Sequence, residues 1–119
     1  MKKTKEKRLK RLRRQRRVRA TARGTSERPR FSVFRSNRHL WAQLIDDSLG
    51  RTVIWASDAE IDWKKGAGRI ALGQALGALI AKKARDKQIG KAVFDRGAYR
   101  YHGVVSAIAE GARKAGLKI

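Results

Sequence analysis

A chain of 119 residues is long enough for one domain with one core and too short for two. It carries 31 Lys+Arg against 10 Asp+Glu, a formal net charge of +21, which opposes compaction and attracts polyanions, nucleic acid first among them. The lack of Cys excludes disulfides and thiolate metal sites and suits a cytosolic protein, and no run of about 18 apolar residues is present to span a membrane. Nor does an apolar segment follow the charged start, as a signal peptide would need. No long amphipathic helix with bulky apolar residues accompanies the charge to favour a membrane surface.

The charge is unevenly spread. Fifteen of the Lys+Arg lie between Met1 and Arg30, where Glu6 and Glu27 are the only acids, so this quarter carries +13 of the +21. Leu9, Leu12 and Val18 are too few to bury an ordering surface. Lys, Arg and Gln favour helix, yet like charges four apart repel. Residues 1–27 are therefore expected to form a basic arm, disordered when free and largely helical on a phosphate backbone. Its candidate RNA contacts are Lys7, Arg8, Arg11, Arg13, Arg14, Arg16, Arg17, Arg19 and Arg23. Residues 28–119 are expected to form the globular domain.

Pro29 closes the arm. Two alternating runs follow, Arg30–Ser36 and His39–Asp46, around Asn37-Arg38, and alternation broken by Asn reads as a hairpin. With a two-residue loop, Arg35 faces Leu40, Val33 faces Ala42 and Phe31 faces Leu44 on a mainly apolar side. The opposite side pairs Ser36 with His39, Phe34 with Trp41, Ser32 with Gln43 and Arg30 with Ile45. Aromatic, polar and arginine side chains on an open sheet face suit base stacking and phosphate contact. The plainer reading is that Phe34 and Trp41 are a stabilising cross-strand pair.

Asp47-Ser48-Leu49-Gly50 reads as a turn, and Arg51–Ser57, rich in β-branched and aromatic residues, as a third strand. After a polar loop, Asp58 to Lys65, a helix is expected from Gly66 to about Gln88, with Leu72, Leu76, Leu79, Ile80 and Lys83 near one stripe. Gly73 and Gly77 would let it approach the sheet, and Gly90 would stop it. Lys91–Asp95 is a short fourth strand, Arg96–His102 a loop, and Gly103–Ala115 a helix ended by Gly116. The fold class is α/β: a single domain, mixed sheet with order β-β-β-α-β-α, helices on one face, preceded by a basic N-terminal arm. The helix between the third and fourth strands implies a crossover that leaves them parallel in one sheet.

The loop from Phe94 to Gly103 gathers Arg96, Tyr99, Arg100, Tyr101 and His102. Arginine binds phosphate or guanine edges and tyrosine stacks on bases, so this loop is a candidate RNA contact, with Asp95 structural, pairing with Arg96 or capping the helix. Gly66-Ala-Gly-Arg-Ile-Ala71 has dinucleotide-like spacing but lacks the acidic residue about 20 positions on. Asp46, Asp47, Asp58, Glu60, Asp62 and Asp95 could supply a two-metal nuclease, but nothing in the sequence makes them converge. Neither a Cys/His zinc site nor a catalytic triad can be assembled. No metal, no cofactor and no enzymatic activity are expected.

The stretches 28–47 (Arg-Pro-Arg-Phe-Ser-Val-Phe-Arg-Ser-Asn-Arg-His-Leu-Trp-Ala-Gln-Leu-Ile-Asp-Asp) and 94–103 (Phe-Asp-Arg-Gly-Ala-Tyr-Arg-Tyr-His-Gly) resemble two signature segments of the bacterial large-subunit ribosomal protein eighteen family. The basic arm, the Ala/Gly-rich helix and the closing Ala112–Leu117 are similar to the same pattern. Ala98 stands where members often carry Gly. The resemblance implies a cytoplasmic ribosomal protein, with residues 28–119 as its 5S rRNA-binding domain, that binds 5S rRNA and helps attach it to 23S rRNA in the central protuberance. It also implies neighbouring large-subunit proteins as partners, one copy per ribosome, and a fold related to the ribonuclease-H-like class without that catalysis. Carried over residue by residue, contacts come from the arm, from Arg35, Ser36, Asn37, Arg38 and His39, and from Arg96, Tyr99, Arg100, Tyr101 and His102. Arg30, Ser32, Phe34, Trp41 and Gln43 of the open face complete the expected RNA-binding set.

Overall fold

A computed structural model describes residues 2–21, 23–62, 68–97, 99, 101 and 103–119. Helix α1 spans Lys2–Thr21, strands β1, β2 and β3 span Arg30–Arg35, Leu40–Asp46 and Arg51–Ser57, and helix α2 spans Gly68–Asp86. Strand β4 (Val93–Asp95) and helix α3 (Gly103–Lys114) complete the chain. The arm is thus a helix in this structure, and from Lys5 to Arg17 only Gln15 is as much as half-buried.

The alternation places the hairpin as expected. Arg30 pairs with Ile45, Phe31 with Leu44, Ser32 with Gln43, Val33 with Ala42, Phe34 with Trp41 and Arg35 with Leu40. Asn37 and Arg38 form the tip, closed by Ser36 N–H donating to His39 O at 2.9 Å and His39 N–H donating to Ser36 Oγ at 3.0 Å. Strand β3 joins β2 antiparallel, with a shift after Leu44 that leaves Val53 as an extra residue and bends the edge. The sheet order is β3-β2-β1-β4. Strand β4 therefore runs parallel to β3 but pairs with β1, so α2 carries the chain over two intervening strands. Of the expected fourth strand only Val93–Asp95 forms, because Ala92 N–H donates instead to Lys118 O and Lys91 bridges the C-terminal segment.

One face of the sheet is the core. Phe31, Val33, Leu40, Ala42, Leu44, Ile54 and Ala56 cluster with Leu72, Leu76 and Ile80 of α2 and Val105 and Ile108 of α3. Phe31, Leu40, Leu44, Leu76, Ile80 and Ile108 are fully buried, worth about 1.5–3 kcal/mol each by transfer from water. Covering this face with both helices leaves the other face of the sheet open.

Two expectations need correction. Gly73 and Gly77 serve helix–helix packing rather than approach to the sheet. A Cβ on Gly77 would lie 2.0 Å from Ile108 O, and one on Gly111 of α3 would lie 2.1 Å from Gln74 O. The backbones of α2 and α3 touch there, so side chains are excluded from the seam. Helix α2 also stops before Gly90. Gln88 takes the left-handed conformation (φ 61°), with Gln88 N–H bonding Arg85 O and Ile89 N–H bonding Ala84 O. The stop places Ile89 against the core. The expected start at Gly66 lies outside the described residues. Helix α3 ends by the same device at Gly116, where Leu117 N–H bonds Ala112 O at 3.1 Å.

Candidate nucleic-acid interface

Three separate stretches of sequence meet at the hairpin tip. Arg35, Ser36, Asn37, Arg38 and His39 are all exposed there. The Tyr99 hydroxyl accepts from Arg35 N–H at 3.3 Å and donates to Arg35 O at 3.2 Å, which ties the loop after β4 to the end of β1. The Arg11 guanidinium lies 5.9 Å from the Tyr99 ring centre, a cation–π distance that brings the arm to the same place. Arg96, exposed, donates to Tyr99 O at 3.2 Å. Along the arm, Lys7, Lys10, Arg11, Arg13, Arg14 and Arg17 stand on one side of the helix. Arg8 and Arg16 are exposed too, as is Arg23 beyond the helix.

The tip is braced from behind by Arg69, at the start of α2. Its guanidinium donates to Asn37 O and Ser36 O, both at 3.0 Å. Sequence reasoning missed Arg69, since an arginine opening a helix reads as a solvated side chain and the turn carbonyls meet it only after folding. His39 Nδ1 sits 3.2 Å from Asp58 Oδ2, which also accepts from Leu40 N–H.

On the open face, Phe34 and Trp41 stack with ring centres 5.4 Å apart and planes 8° from parallel. Both are half-buried, as is Gln43. Opposite Gln43 stands Trp55, 59% exposed, with Lys83 Nζ 5.8 Å from its ring centre. In the sequence Trp55 stands out only as a strand residue. Its register opposite Gln43 is the signal that places it on this face.

Arg30 and Ser32 do not belong to the accessible face. Ser32 is 3% exposed, enclosed between Gln43 and Asp95 of the neighbouring strands. Arg30 donates through Nε to Asp47 Oδ2 (3.0 Å), through Nη2 to Asp47 Oδ1 (3.1 Å) and through Nη1 to Asp95 Oδ2 (2.8 Å). Two carboxylates thus compensate the buried guanidinium, whose surroundings keep it committed to protein. Burial alone would lower its pKa, but hydrogen bonds to Asp47 and Asp95 outweigh this and raise it. The Arg30 hydrogen bond, with lesser help from Gly24 N–H, holds the Asp47 carboxyl below the usual range. Asp95 is structural as expected, but its partners include Arg30 and the Gly97 N–H rather than an ion pair with Arg96.

Tyr101 goes elsewhere. It meets Phe94 edge-on, and Arg113 Nη1 donates to its hydroxyl at 2.7 Å, so it stands over α3 rather than at the tip. Arg100, His102 and Ala98, and the side chain of Arg19, lie outside the described residues. Asp47 and Asp95 meet at Arg30, a cation, and other acids have partners of their own. Asp46 accepts from Ser48, and Glu60 from Lys83 and Ser57 N–H, the lysine bond being the main cause of its lowered pKa. Among the described residues, no three His, Asp or Glu side chains are placed to hold a metal. The chemistry on offer is that of cations around aromatic rings and exposed turn backbone, suited to phosphates and bases.

A family model described as ribosomal L18 of archaea, bacteria, mitochondria and chloroplast matches residues 5–119. The chain is 49% identical over 101 residues to the large ribosomal subunit protein uL18 of Solibacter usitatus (strain Ellin6076), covering 85% of each chain. It is 50% identical over 101 residues to the protein of the same name from Staphylococcus aureus (strain JH9), again covering 85% of each.

Proposed function

The chain belongs to the ribosomal L18 family, and from that premise we propose that it binds 5S rRNA and helps attach it to 23S rRNA in the central protuberance. It is a non-catalytic constituent of the large ribosomal subunit, located in the cytoplasm. The observation that carries the finer reading is the meeting of arm, hairpin tip and Tyr99 loop, each of them basic, within one surface.

In this reading the arm, from Lys7 to Arg23, neutralises phosphates and releases counterions, which supplies affinity without sequence preference. Arg35, Ser36, Asn37, Arg38 and His39, with Arg96, Tyr99, Arg100 and His102, recognise RNA shape and unpaired bases, and Tyr101 offers a separate exposed ring over α3. Phe34, Trp41 and Gln43 extend the surface, with Trp55 added as an exposed stacking platform. Arg69 holds the tip in shape without needing to touch RNA. Residues 1–27 act as an arm whose helix is completed on the RNA, and neighbouring large-subunit proteins pack around a single copy.

Binding to 5S rRNA, transfer RNA and random duplex across a salt series tests this. A preference for 5S rRNA that survives about 0.15 M salt is expected. Equal affinities that fall together would mean that charge alone binds, as in a general packaging protein.

A further inference from the structure

The root of the arm is held by contacts that RNA recognition does not use. Gly24 lies flat against the sheet: its N–H donates to Asp47 Oδ2 at 2.7 Å and its carbonyl accepts from Asp47 N–H at 3.2 Å. A Cβ at this position would lie 2.2 Å from Arg30 N and 2.6 Å from Ile45 O, both backbone atoms that cannot step aside. The same Asp47 carboxylate receives Arg30, and Arg30 reaches Asp95 on β4. One chain of hydrogen bonds therefore joins the arm's root to the turn after β2, to β1 and to β4. Asp95 is fully buried and the Arg30 side chain is 12% exposed, so water competes little for these bonds.

Buried ionic groups of this kind seldom stabilise a fold more than apolar residues of equal volume would, and their best-attested use is to specify a geometry. The geometry specified here is where the arm leaves the sheet. Some distance along that arm, Arg11 lies over Tyr99, beside the hairpin tip. We propose that Gly24, Asp47, Arg30 and Asp95 form a positioning clamp that fixes the arm's exit, so that arm and hairpin tip engage one RNA in a set relation. The proposal rests on the RNA-binding reading above. Released from Gly24, the arm would hang from Pro29, with five more residues of slack, and its effective concentration at the RNA would fall.

The test is a cycle of four proteins measured against 5S rRNA: the full chain and a chain lacking residues 1–21, each with and without Gly24→Ala. The substitution is expected to weaken the full chain about three- to tenfold, to leave its salt dependence unchanged because no charge is lost, and to leave the shortened chain unaffected. Equal weakening of both chains would reduce Gly24 to a supporter of the fold and overturn the clamp, as would no weakening of the full chain. Should Gly24→Ala not fold, Asp47→Asn serves in the same cycle, read by the affinities of the full and shortened chains alone because it removes a charge. Amide hydrogen exchange reads the clamp without RNA: Gly24 should be protected in the unmodified protein and exchange rapidly in Asp47→Ala, and an unprotected Gly24 would also overturn it. Failure of the RNA reading is separately visible, as an unmodified chain with no preference for 5S rRNA.

Discussion

Removing residues 1–21 should change the salt dependence of RNA binding by an amount that the helix itself sets. Lys7, Lys10, Arg11, Arg13, Arg14 and Arg17 line one side of α1, whereas Lys5, Arg8 and Arg16 stand elsewhere around it. A straight helix offers one side to a phosphate backbone, so these six cations are the ones that can neutralise phosphates together. Each contributes about 0.7–0.9 to the slope of log affinity against log salt, and six give a change of about 4–5. Gly24, its contacts and the core residues are all kept in this truncation, so the folded domain is expected to persist. Filter binding or fluorescence anisotropy from about 0.05 to 0.2 M salt would measure both proteins. An unchanged slope would refute the reasoning, because it would mean the arm's cations stay solvated. A change of about 8 or more would refute the one-sided geometry, since cations all round the helix would then be engaged.

Arg30→Met removes the cation that Asp95 and Asp47 share, and should cost about 3–5 kcal/mol in urea unfolding; a loss below about 1 kcal/mol would show that the carboxylates find other compensation. Gly77→Ala gains about 1 kcal/mol of helix propensity but forces a methyl against Ile108 O, an overpacking cost of about 1–3 kcal/mol or more, so net destabilisation is expected and a stabilised variant would refute the backbone contact. Asp47 has a folded pKa below its unfolded value near 3.8, so its contribution is complete above that value and is lost as pH falls through the lowered one. The stability difference between the native protein and Asp47→Asn should therefore be constant near neutrality and shrink below about pH 4. A difference that stays level into strong acid would argue against the Arg30 pair as its source.

The hairpin was legible before the structure because strand side chains alternate with a period of two, and a one-residue slip would have turned Phe31, Val33, Leu40, Ala42 and Leu44 to water. The arm was legible because its charge density cannot be buried. Alternation tells which side of a sheet a residue takes, though, and not what covers that side. It put Arg30 and Ser32 with Phe34, but Asp47 and Asp95, 17 and 65 residues from Arg30, converge on that guanidinium only in the folded chain. Gly24, Arg69 and Trp55 escaped for the same reason, since their roles lie in contacts with distant backbone or strand neighbours. The glycines of α2 announced a close approach without saying to what, and only the docking of α3 answered it. Periodicity and charge are local properties that a sequence carries whole. Which groups meet across long separations depends on how α2 crosses the sheet and sets β4 beside β1, and that is settled by burying one common core.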